Sequence, residues 1–109
     1  MAWLLRDGQV LASLEVQESL WGRSRGLLGR PGLEGAMLLR RTRGVHSFGM
    51  RFAMDVAFLD RELVVLDTTR LGRFSVAWPR WKARSVLEAE AGAFERWGLK
   101  PGDQLSIKE

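Results

Sequence analysis

The sequence predicts an α+β fold: a compact single domain over residues 1–109, mostly antiparallel strands forming a barrel-like sheet, with one main helix and one short helix. Three observations carry this. Apolar residues recur with a period of two in several short runs, the repeat of a strand with a buried face. Turn dipeptides such as Asp7-Gly8 and Pro101-Gly102 separate these runs at short intervals. Helical patterning is confined to two stretches, near Ser19 to Leu28 and Gly92 to Trp97. So many short strands in one small domain would expose their edges, and a closed or nearly closed barrel removes them.

The elements follow in chain order. Trp3 to Arg6 and Val10 to Val16 flank Asp7-Gly8, which predicts an opening β-hairpin, with Val10, Ala12, Leu14 and Val16 on its buried face. Ser19 is positioned to cap a helix running to about Leu28, with Leu20, Trp21, Leu27 and Leu28 on one side, and Gly29 and Pro31 end it. Gly22 and Gly26 each cost that helix about 1 kcal/mol relative to alanine, so it needs close tertiary packing. Ala36 to Leu39 reads as a strand. Val56 to Asp60 and Leu63 to Thr69 flank Arg61-Glu62 as a second hairpin with a two-residue turn, and Arg70 to Lys82 is a loop carrying Trp78 and Trp81. Ser85 to Ala89 is a strand, Gly92 to Trp97 a short helix closed by Gly98, and Gln104 to Lys108 the last strand.

The stretch Gly44 to Asp60 organises the chain. It holds the only histidine, His46, and three of the five phenylalanines. Its even positions read His46, Phe48, Met50, Phe52, Met54, Val56 and Phe58, and its odd positions are small or polar. That length exceeds a usual strand, so a bend between Gly49 and Ala53 should divide it in two. Phe48, Met50, Met54, Val56 and Phe58 are then expected to face inward, because a slip of one residue would expose them all.

Composition narrows the function classes. There is no cysteine, which excludes structural disulfides and thiolate metal sites and makes a cytoplasmic location the simplest expectation. The opening residues, interrupted by Arg6 and Asp7, do not read as a signal peptide, and no run is long enough to span a membrane. The net charge of +4 is unevenly spread: residues 19–54 carry seven arginines against the single acid Glu34, and the rest of the chain is net negative. Fourteen of the seventeen basic residues are arginine, whose planar fork suits carboxylate, phosphate and aromatic partners.

The motif order resembles that of a bacterial and archaeal family, the domain of unknown function 192. Arg23, Gly26, Leu27, Leu28 and Arg30 match its R-x-x-G-L-M-x-R element, with Leu28 in place of methionine. His46, Ser47, Phe48, Gly49, Met50, Arg51 and Asp55 to Asp60 match its central H-T-F-G-M-R-x-x-x-D-V-x-F-L-D element. Val86, Leu87, Glu88 and Gly92 match V-L-E-x-x-x-G, and Gly98, Leu99, Gly102 and Asp103 match G-L-x-x-G-D. Ser47 stands where threonine is usual and Ala53 where a proline often stands, which leaves the bend before Asp55 less rigid than the family pattern implies. The resemblance covers about residues 19–105 and implies a small β-rich α+β fold, with no established activity.

The residues that offer chemistry are few. His46 is the one side chain that titrates near neutrality unperturbed. One histidine and no cysteine do not make a zinc set, no D-x-D-x-D-G run is present for a hard cation, and no metal or cofactor is expected. Asp55 and Glu88 lie in apolar stretches, where a carboxylate is either paired with arginine or raised in pKa; the arginine supply favours pairing. Arg23 and Arg30 are expected to approach the central stretch and Glu88. Trp78, Arg80, Trp81 and Lys82 have the composition of a stacking surface.

The leading expectation is a binding module. Its site comprises Arg23, Arg30, His46, Arg51, Asp55, Trp78, Trp81 and Glu88, and it takes an anionic or sugar-like ligand or an acidic protein segment. Two alternatives stand beside it. One is a small enzyme in which His46 transfers protons with Asp55 or Glu88, which requires them within about 3 Å of each other or of a shared water. The other is single-stranded nucleic-acid binding by a barrel face, which the modest net charge does not favour.

Overall fold

The fold is seen in a computed structural model, which describes residues 2–17, 35–41, 53–72 and 80–109, and the backbone of 45–46 and 76–77. The first hairpin forms as the turn chemistry dictates. Strand β1 (Ala2–Arg6) pairs with β2 (Gln9–Gln17), Arg6 standing opposite Gln9. Asp7 and Gly8 both take positive φ, 54° and 78°, as the turn that matches strand twist requires. The register slips between Leu4 and Leu5, so that Ala12 opposes Leu4 while Val10 opposes Leu5. This bulge at Leu11 breaks the alternation expected of β2: Val10 is exposed, whereas Leu14 is buried and Leu11, Ala12 and Val16 pack against the core.

Six further strands in the described residues complete the β structure around these two, apart from the last: β3 (Ala36–Arg40), β4 (Val45–His46), β5 (Met54–Leu59), β6 (Val65–Leu71), β7 (Val76–Ala77) and β8 (Ser85–Glu90). Helix α1 (Ala93–Trp97) and strand β9 (Leu105–Lys108) close the chain. Seven strands form one sheet in the order β6-β5-β8-β3-β2-β1-β9, and β4 pairs with β7 separately. All neighbours in the large sheet are antiparallel except β2 and β3. A parallel pair needs a long crossover, which residues 18–35 supply. Gly35 ends that crossover at φ 71°, where a Cβ would stand 2.4 Å from the Ser13 hydroxyl oxygen and 2.8 Å from its carbonyl oxygen, so only glycine fits.

The sheet curls into a half-barrel, and its two edges meet along a short seam. Val64 bridges Gln104, the Val65 amide donates to the Asp103 carbonyl at 2.9 Å, and the Leu105 amide donates to the Leu63 carbonyl at 3.0 Å. One main helix is not borne out. Among the described residues α1 is the single helix, and the helix expected over Ser19 to Leu28 lies outside them. The second hairpin also differs from expectation. Asp60 to Val64 form a longer connection in which the Asp60 carboxylate accepts from the Glu62 and Val64 amides at 2.9 Å each, with Leu63 at φ 67°. The acid's capacity to hold a local turn competes successfully with the tight Arg61-Glu62 turn.

The core has two parts, one on each face of the sheet. Inside the curl, Leu4, Leu14, Leu38, Ala57, Leu59, Val65, Leu87, Ala89, Phe94 and Leu105 are buried together. On the outer face Met37, Leu39, Met54, Val56, Phe58, Leu71, Ala83 and Val86 form a second cluster. Strand β5 is therefore buried on both faces, where one buried face is expected from its period-two pattern. Met54, Val56 and Phe58 do share one buried face; Phe48 and Met50 lie outside the described residues.

Asp103 ties the seam to the first hairpin. Its Oδ2 accepts from Arg6 Nη1 and from the Lys100 amide, both at 3.0 Å. Burial pushes this carboxyl up, but the Lys100 amide, the Arg6 hydrogen bond and the two positive charges outweigh it and hold its pKa below the usual value. A depressed folded pKa stabilises the native state above the unfolded value of about 3.9, and that stabilisation is lost as pH falls through the folded pKa. Thermal melts from pH 7 to pH 2 should show Asp103→Asn less stable than the parent at neutral pH, the gap closing below about pH 4. A gap independent of pH would refute the assignment.

Candidate functional site

Strand parity separates two residues that the sequence groups together. Across β5 and β8, Val56 stands opposite Glu88 and Asp55 opposite Ala89. Glu88 therefore shares the outer face with Val56 and Met37, whereas Asp55 shares the inner face with Ala57 and Ala89. Glu88 is 0% exposed and Asp55 4%, but they do not face a common cavity.

Asp55 is fully engaged. Its Oδ1 accepts from Arg70 Nε at 2.9 Å, and its Oδ2 accepts from the Gly92 amide at 2.9 Å and the Phe94 amide at 3.2 Å. Gly92 precedes α1 at φ 96° and has no side chain with which to cap it. Asp55 supplies the oxygen from across the sheet, a cap delivered by tertiary structure. The expected pairing of Asp55 with an arginine is met by Arg70, which lies outside the basic region. The hydrogen bond to Asp55, then its charge, raises the Arg70 pKa.

Trp81 sits at the tip of a turn closed by the Ala83 amide donating to the Arg80 carbonyl at 3.0 Å. Its side chain is 85% exposed. The base of the turn is anchored: the Arg80 guanidinium lies 4.6 Å from the Phe58 ring centroid and donates twice to Asp67 Oδ2, at 3.2 and 3.0 Å. Leu66, Asp67, Arg80, Trp81 and Lys82 line an open cleft of about 490 Å³.

His46 pairs through its backbone with Val76 in the small sheet. Its side chain, together with Arg23, Arg30, Arg51 and Trp78, lies outside the described part of the molecule. Among the described residues no group of three or more histidine or acidic side chains is placed to hold a metal, and no helix is long and apolar enough to cross a membrane.

A second cleft, which sequence reasoning did not find, opens at one end of the inner face. Leu38, Arg40, Arg41, Asp60, Arg61, Leu63, Arg84 and Ser85 enclose about 370 Å³. Parity was the available signal: Arg40 stands opposite Ser85 on the face of Leu38 and Leu87. The residues come from three strand ends whose adjacency only the sheet order reveals.

Comparison with known proteins agrees with this architecture. The structure of a protein of unknown function from Novosphingobium aromaticivorans DSM 12444 superimposes with a TM-score of 0.78 at 20% identity, over 96% of this chain and 82% of the other. A Sinorhizobium meliloti 1021 structure, provisionally described as a transcription regulator, gives 0.80 at 23% identity over 97% and 91%. At such identities the likeness shows the fold. A UPF0127 protein of Thermococcus sibiricus (strain DSM 12597 / MM 739) is 29% identical over 84% of this chain, and one of Pyrococcus abyssi (strain GE5 / Orsay) 33% identical over 56%. The chain spans 64% and 52% of the lengths of these two relatives. The profile of the domain of unknown function 192, described as an uncharacterised ACR family, matches residues 2–107, and the chain belongs to this family.

Proposed function

We propose that the chain is a recognition module for a small anionic or sugar-like ligand, which stacks on Trp81. The exposure of this indole carries the reading. A tryptophan left 85% in water forgoes the large gain of burial, on a turn whose base is held by Phe58 and Asp67. A fixed base and an open ring make a platform that costs little ordering when a ligand arrives. Lys82 beside the ring offers an ammonium to a carboxylate or phosphate on the same ligand, and Arg80 borders the same cleft. The proton-transfer alternative gains no support from Asp55, whose oxygens already accept three hydrogen bonds.

The test is a titration with glucose, glucuronate and glucose 6-phosphate, read by tryptophan emission and by calorimetry. At least one should bind saturably with a blue shift, and Trp81→Ala should weaken it by about 1 to 3 kcal/mol, the range for stacking on an aromatic side chain. The variant's own stability should stay within about 0.5 kcal/mol of the parent, as for other exposed substitutions. No saturable binding by any of the three, or equal binding by Trp81→Ala, overturns the reading.

A further inference from the structure

We infer that the cleft at the end of the inner face is a separate oxyanion site, built for a phosphate group carried on a small ligand. Arg41, Arg61 and Arg84 line it with the carboxylate of Asp60, and Arg40, which is already engaged, stands beside them. One oxygen of that carboxylate, Oδ1, is turned to the chain itself and accepts from the Glu62 and Val64 amides. Arg41 and Arg61 have no ion-pair partner among the described residues. Arg84 is positioned by its own turn, Nη1 donating to the carbonyls of Ala83 at 3.1 Å and Trp81 at 3.4 Å. Guanidinium forks matched to tetrahedral oxyanions are the usual means of holding phosphate.

Ser85 is an independent observation pointing to a ligand. It is 5% exposed, lines the cleft, and its hydroxyl has no hydrogen-bond partner. The hydroxyl oxygen is itself shut off from solvent; a buried hydroxyl without a partner is costly, and a ligand oxygen that met it after rotation of the side chain toward the cleft would satisfy it. Backbone strain is concentrated here too. Asp7, Arg41 and Leu63 are the described non-glycine residues with positive φ; Asp7 belongs to the hairpin turn, and the other two line this cleft. Such conformations persist where the surroundings enforce them, and they gather at ligand sites. With Leu38 as an apolar floor, a volume of about 370 Å³ admits a small phosphorylated molecule.

Inorganic phosphate is the probe, titrated calorimetrically at constant ionic strength against a sodium chloride control. The parent should bind it saturably. Arg41→Gln with Arg61→Gln should weaken binding by roughly tenfold or more, the loss typical of charge-assisted hydrogen bonds, while the melting temperature without phosphate stays unchanged. Ser85→Ala should weaken binding by roughly three- to tenfold without lowering the melting temperature, because the free protein loses no hydrogen bond. Trp81→Ala should bind phosphate as the parent does, so that failure of the stacking surface and failure of this site are read apart. Absence of saturable heat in the parent, or arginine variants that bind as well as it does, overturns the proposal.

Discussion

Phe58→Ala is expected to destabilise the protein by about 3 to 5 kcal/mol, the range for truncating a large aromatic side chain in a core. Phe58 is fully buried in the outer cluster with Met37, Leu39, Met54, Val56 and Val86. It stands opposite Val86 on one neighbouring strand and Asp67 on the other. Paired strands on both sides, β6 and β8, hinder the site from collapsing, which puts the cost toward the upper end of the range. A second loss adds to it. Arg80 rests on the ring at 4.6 Å, and a cation on an aromatic face contributes about 0.5 to 1 kcal/mol where water still reaches it. Phe58→Leu retains most of the apolar volume and should cost well under half as much. Urea unfolding of both variants checks this, and a loss under about 1 kcal/mol for the alanine variant would mean that the outer cluster is not a core.

Local chemistry made much of this fold legible in the sequence. The positive-φ turn at Asp7-Gly8, the glycines bracketing α1 and the Pro101-Gly102 turn are each decided within a few residues, and β1, β2, β8, α1 and β9 fall close to where those signals put them. Parity in β5 was legible for Met54, Val56 and Phe58, but the alternation could not tell which faces would be covered. Ala57 and Leu59 are as buried as their neighbours because the strand lies between β6 and β8 with a packed layer on each side. The bulge at Leu11 and the Asp60 turn went unread because each depends on a pairing partner or a side-chain oxygen rather than on hydropathy.

The site was less legible than the fold. Asp55 and Glu88 look alike in sequence, as single acids in apolar strands, and differ by a register that sets them on opposite faces. The arginine cluster drew attention to Arg23, Arg30 and Arg51, whereas the cleft at the end of the inner face gathers Arg40 and Arg41 from that cluster with Arg61 and Arg84 from beyond it. Sheet order brings those strand ends together, and no periodicity within one strand encodes it.

Asp55→Ala is expected to cost about 3 kcal/mol or more, with most of the loss arising at the helix rather than at the ion pair. The carboxylate holds three donors: Arg70 Nε, the Gly92 amide and the Phe94 amide. The guanidinium side of this arrangement is cheap to lose. Arg70 is 56% exposed in its side chain, so after truncation of Asp55 it is rehydrated, and exposed ion pairs contribute about 0 to 1 kcal/mol. The amides have less recourse. Phe94 is buried and half-buried Gly92 opens a helix that brings no cap of its own, and a buried donor left unsatisfied costs about 1 to 3 kcal/mol, the Phe94 amide bearing most of it. Arg70→Ala should therefore lose far less than Asp55→Ala, and Asp55→Asn, which keeps an acceptor oxygen for the helix, should fall between the two. The double variant Asp55→Ala with Arg70→Ala tests the division directly: a coupling energy under about 1 kcal/mol is expected. A coupling of 3 kcal/mol or more, in the range for a buried pair broken by losing one partner, would show instead that the ion pair dominates and the cap is secondary.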